Sequence, residues 1–157
     1  MFMFLTDVML LKLGRWLRIL GIRTSVPKAE GDEAILFQAL KEHSILLTMD
    51  RDLASKAKKA GLPALLIPST CIDIEEQLKL VHSHYSFKIA DKTLCTECGG
   101  DLVETDSKNV ADKVPKSVPE RFDKVWLCKE CGHVFWEGSH WKNINKTISK
   151  VREWASM

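Results

Sequence analysis

The chain has 157 residues, 45% apolar and 28% charged, with a formal net charge of +2. That length holds one ordinary domain, or a small domain with a metal-stapled appendage. The composition excludes a disordered or fibrous protein, and so small a net charge selects no partner by itself.

No run of about 18 apolar residues occurs, so no membrane association is expected. Met1 to Leu5 is apolar but lacks the cationic start and cleavage site of a secretory leader. The expected location is the cytoplasm, where thiols stay reduced, and the five cysteines then read as metal ligands plus one left over.

In chain order, residues 2–6 form a short apolar run suited to a central strand. Residues 9–20 carry leucines at positions 10, 13, 17 and 20, a helical spacing ended by Gly21. A brief strand is expected at 24–26. A helix is expected at 32–43, with Asp32 as its cap and Ile35, Leu36, Ala39 and Leu40 facing inward. Strands at 44–48 and 64–67 alternate with helices at 52–60 and 73–84. Alternation of this kind implies an α/β fold with a parallel sheet flanked by helices, whose strand C-termini share one edge. Open sheets of this type bind ligands at that edge. Composition changes near residue 88, which divides the chain into 1–88, 92–141 and a tail at 142–157.

Asp7 directly follows the first strand and Asp50 the third, with Asp52 two residues on. Asp32 and Glu33 open the second helix, and either of the two can turn inward. The expected topology gathers these acids in one crevice, where like charges repel unless a cation such as Mg²⁺ or Mn²⁺ neutralises them. Asp32 and Asp52 read equally well as helix caps, whereas an acid closing an apolar strand at Asp7 has little structural use. Lys12, Arg15 and Arg18 recur every three residues on the face away from the leucines. That row reads either as a solvated face or as a holder for a nucleic-acid backbone near the carboxylates.

Cys95 and Cys98, then Cys128 and Cys131, form two knuckles, each followed by glycine. Two such pairs complete a closed tetrahedral site, with zinc the default ion and iron the rarer alternative. Cys71 is the leftover thiol. A small ribbon buries little apolar surface, so the zinc should supply much of its folding energy, and chelation is expected to melt residues 92–140 while sparing the first unit. The polar insert at 104–124 reads as loop.

The segments Leu13-Gly14-Arg15-Trp16-Leu17-Arg18, Leu46-Leu47-Thr48-Met49-Asp50-Arg51-Asp52 and Trp136-Glu137-Gly138-Ser139-His140-Trp141 resemble the PIN-like RNase domain named for the C-terminal region of the Mut-seven protein, with its fused zinc ribbon. The resemblance extends to about Trp141. It implies a PIN-like fold, RNA as substrate, a capacity to pair as a homodimer, and acidic metal-binding residues at Asp7, Asp32, Asp50 and Asp52. His140, between two tryptophans, is a candidate RNA contact, though packing between domains is the commoner role. Trp136 and Trp141 read as residues that either stack bases or seal the ribbon onto the first unit, sealing being the favoured role. The tail carries Ile144, Ile148, Val151 and Trp154 at helical spacing. The functional expectation is a Mg²⁺- or Mn²⁺-dependent ribonuclease. The alternative is a non-catalytic RNA- or ribosome-associated adaptor whose working surface is the ribbon.

Overall fold

A computed structural model describes residues 3–156 of the chain. Met1, Phe2 and Met157 lie outside the described residues; of the strand expected at 2–6, Phe2 falls among them, Met3 precedes the strand, and β1 begins at Phe4.

Four parallel strands carry the first half: β1 (Phe4–Thr6), β2 (Thr24–Ser25), β3 (Ile45–Thr48) and β4 (Ala64–Leu66). Between them run α1 (Leu11–Ile19), α2 (Asp32–Glu42) and α3 (Arg51–Lys59), and α4 (Ile74–Tyr85) follows β4. A 3-10 turn at Val8–Leu10 precedes α1. The strands are buried on both faces because helices cover both, which is why their sequences read as continuous apolar runs. One face holds Leu10, Leu13, Leu17, Leu78 and Val81; the other holds Ile35, Ala39, Leu53 and Ala57. Leu40, expected inward, is 59% exposed, because it stands at the border of the α2 stripe rather than within it.

The sheet order is β2-β1-β3-β4, with Leu5 beside Leu46 and Thr6 beside Leu47. The chain leaves β1 toward one side to make β2 and crosses back to the other side for β3. The reversal therefore falls between β1 and β3, where open parallel sheets leave a crevice at the strand C-termini.

The second half is not the loop expected at 104–124. It contains β5 (Leu102–Asp106), a 3-10 segment at Ser107–Lys113, the short helix α5 (Ser117–Arg121), β6 (Lys124–Cys128) and β7 (Val134–Phe135). These strands form an antiparallel sheet in the order β5-β6-β7. A small core of Val110, Val118, Val125 and Val134 holds this ribbon together. Helix α6 (Trp141–Ala155) then returns to the first unit. Its Ile148, Val151 and Trp154 pack into the larger core beside α4, with the Trp154 and His82 rings 5.4 Å apart. The amphipathic tail thus docks on its own chain.

The linker at 87–94 is equally committed to the first unit. Phe87 and Leu94 are buried, and the Ala90 N–H donates to the Leu20 carbonyl. Gly21 permits this approach. Its φ is +80°, and a Cβ there would stand 2.5 Å from both Ala90 Cβ and the Lys92 carbonyl.

Candidate active site and metal centre

Asp7 and Asp50 flank the point where the strand order reverses. The Asp7 N–H donates to the Leu47 carbonyl at 2.9 Å, which extends the β1–β3 ladder by one rung and fixes Asp7 beside the end of β3. Asp7 is 6% exposed. Oδ2 accepts the Thr48 hydroxyl at 2.9 Å, and Oδ1 accepts the Val8 N–H at 2.7 Å. The Thr48 oxygen in turn accepts the Asp50 N–H at 3.0 Å. One buried hydroxyl therefore ties the Asp7 side chain to the Asp50 backbone.

Asp50 caps α3, its Oδ1 accepting from Asp52 N at 2.9 Å and Leu53 N at 3.2 Å. The caps thus fall on Asp7 and Asp50, not on Asp32 and Asp52 as the sequence suggested. Asp7 does have a structural use after all, closing the 3-10 turn at Val8–Leu10. Gly31 is the cap position of α2, and Asp32 and Asp52 lie inside the first turns of their helices.

Asp32 meets a partner that the sequence did not single out. Lys56, on the second turn of α3, donates to Asp32 Oδ2 at 2.9 Å. That hydrogen bond and the Asp32 charge, followed by Asp52 and Asp50, raise the ammonium above its ordinary pKa. One lysine therefore feels three of the four acids. Its position four residues after Asp52 was the available signal, since such a residue shares the helix face.

Of the basic row, Lys12 and Arg15 are exposed as expected. Arg18 is not: it is 5% exposed, and its guanidinium donates to the Thr24 carbonyl at 2.8 Å and the Thr96 carbonyl at 3.0 Å. It is withdrawn from any phosphate. His140 is exposed at the start of α6, its ring beside Gly138 and 6.2 Å from that of Trp141, so it seals no domain contact. Trp141 donates its indole N–H to the Trp136 carbonyl at 2.8 Å. With Trp126 and Phe135 it lines a cleft of about 590 Å³ between the linker, the ribbon sheet and α6.

The cysteines converge as expected. Cys95 and Cys131 sulfurs lie 3.7 Å apart, those of Cys98 and Cys128 3.4 Å, and all four are within 4.8 Å of one another. Tetrahedral zinc with Zn–S bonds near 2.3 Å requires sulfur separations of about 3.8 Å, so this donor set fits the ion. The knuckle turns are closed by Gly99 N to Cys95 O at 2.8 Å and Gly132 N to Cys128 O at 2.9 Å. Burial pushes the Cys95 thiol up. Among the described residues this is the one cluster of three or more such ligand atoms; the four carboxylates are not drawn equally close. No helix among the described residues is long and apolar enough to cross a membrane.

A doubly covered parallel sheet with acids at its switch point, joined to a four-cysteine ribbon, defines an α/β protein with an appendage whose cysteines fit zinc. The family model for the Mut7-C RNAse domain matches residues 2–148, and the chain belongs to that family. No curated protein and no solved structure matches it. Membership supports nuclease activity, with RNA as the substrate that the family's name implies.

Proposed function

We propose that the chain is a metal-dependent ribonuclease whose centre is the crevice between β1 and β3. The observation that carries this reading is the Thr48 hydroxyl, which holds the Asp7 carboxylate against the backbone of Asp50 at the sheet's switch point. Asp7 and Asp50 thus bring hard oxygen donors to one crevice.

Asp7 and Asp50 are the residues that would hold a divalent ion, with Asp52 and Asp32 beside them around Lys56. Asp50 takes both of its hydrogen bonds on Oδ1, and Oδ2 takes none among the described residues. A bound Mg²⁺ or Mn²⁺ supplies neutralisation of charge at the phosphate and a water of lowered pKa. The protein's own residues do the positioning. The Thr48 bridge fixes the pair of acids, and Lys12 and Arg15, exposed on the helix that follows Asp7, hold the phosphate backbone.

The test is RNase activity and Mn²⁺ binding in wild type, Asp7→Asn and Asp50→Asn. Either substitution should lower the cleavage rate by roughly two orders of magnitude or more with the fold retained, the scale of losing one transition-state electrostatic group. Cleavage that survives both substitutions rules the mechanism out. RNA binding without cleavage or Mn²⁺ uptake would instead identify the adaptor.

A further inference from the structure

Arg18 is the basic residue that the fold takes inside, and its surroundings belong to the metal centre. Its guanidinium reaches across 78 positions of sequence to the Thr96 carbonyl, inside the first cysteine knuckle. The knuckle is fastened at neighbouring points too. Leu94 N donates to the Arg18 carbonyl at 2.9 Å, and the Thr93 hydroxyl donates to the Ile19 carbonyl at 2.9 Å. Gly99 completes the fit: its φ is +82°, and a Cβ would stand 3.1 Å from Arg18 Nε and 3.2 Å from the Thr24 carbonyl.

A buried guanidinium cannot shed its proton, so it requires counter-charge. Two carbonyl dipoles give part of it. The rest must come from the knuckle itself, whose Thr96 carbonyl and Gly99 backbone lie directly against the guanidinium. Zinc would hold all four sulfurs as thiolates, a site of net negative charge beside the guanidinium. The counter-charge for Arg18 is therefore strongest when the metal is bound.

We propose that Arg18 is the outer counter-charge of the zinc centre, so that zinc occupancy also holds the end of α1, the start of β2 and the linker in place. The two units are then coupled, and the expectation that chelation spares the first unit is replaced by its opposite at this seam. The coupling must be mutual: what zinc contributes to the order of Arg18, Arg18 contributes to the retention of zinc.

The experiment uses the full zinc-loaded chain. Transfer of zinc to a chromogenic chelator is measured in wild type, Arg18→Lys and Arg18→Met. Arg18→Met should release zinc about 10- to 100-fold more readily, the effect typical of residues that support metal ligands. Arg18→Lys should fall between. In cobalt-substituted protein, the thiolate-to-metal absorption band should shift in Arg18→Gln and move back toward wild type in Arg18→Lys, which a merely space-filling role would not produce. Hydrogen exchange on wild type needs no variant to fold: zinc removal should expose the Ile22 and Leu94 amides along with residues 95–98. Zinc retention unchanged in Arg18→Met, or Ile22 and Leu94 amides still protected once the ribbon has opened, would overturn the proposal.

Discussion

Thr48→Val is the sharpest probe of the crevice, because it removes one oxygen and keeps the shape. The threonine is fully buried, and its hydroxyl serves two partners at once. Without it the Asp7 carboxylate loses a donor, and the Asp50 N–H loses its acceptor. Each loss costs about 1–3 kcal/mol when the remaining group stays shielded from water, and Asp50 N is only partly so. Together they should destabilise the fold by about 3 kcal/mol, against a typical total of about 5–15 kcal/mol. For a chain of this size that corresponds to a melting temperature lowered by about 6–12 °C. The assay is urea unfolding of wild type, Thr48→Val and Thr48→Ser, followed by RNA cleavage at a temperature where all three are folded. Thr48→Ser keeps the hydroxyl and should lose only the contribution of a methyl group, about 1 kcal/mol. Cleavage by Thr48→Val should fall about 10- to 100-fold, since the acids lose their common tether. A Thr48→Val protein within about 0.5 kcal/mol of wild type, cleaving at the wild-type rate, would refute the bridge and the centre built on it.

Gly21→Ala should destabilise the protein by about 2–4 kcal/mol in chemical unfolding, combining left-handed backbone strain with a clash against Ala90 and Lys92. Lys12→Glu with Arg15→Glu should weaken RNA binding and flatten its salt dependence, each lost phosphate contact reducing the log–log slope by about 0.7 for single strands. Titration of RNA at several salt concentrations reads this directly, and an unchanged slope would remove both residues from the interface. Lys56→Met breaks only an exposed ion pair, so its melting temperature should match that of wild type. It should nevertheless bind Mn²⁺ more tightly in calorimetry, because a competing cation has left the acids.

The elements were legible wherever one segment carried its own apolar pattern. The leucines of α1, the paired apolar residues of α2 and the continuous run of β3 each marked their element to within a few residues. Asp7 and Asp50 could be assigned to a common edge because both follow buried strands, and parallel connections fix which edge that is. Which acids act as caps could not be read, because a shift of one or two residues in a helix start exchanges Gly31 for Asp32 and Asp50 for Asp52. Arg18 was misleading for a different reason. Its spacing from Lys12 and Arg15 describes one helix alone, and the knuckle that buries it arrives 78 residues later. The ribbon's core was hidden similarly: Val110, Val118, Val125 and Val134 lie on different elements and show no period.

The return of α6 to α4 has a consequence for biosynthesis. Until Trp154 has been made, the α4 surface that receives Ile148 and Val151 faces water. All four cysteines precede α6 in the chain, so the helix that completes the larger core is the last element to be made.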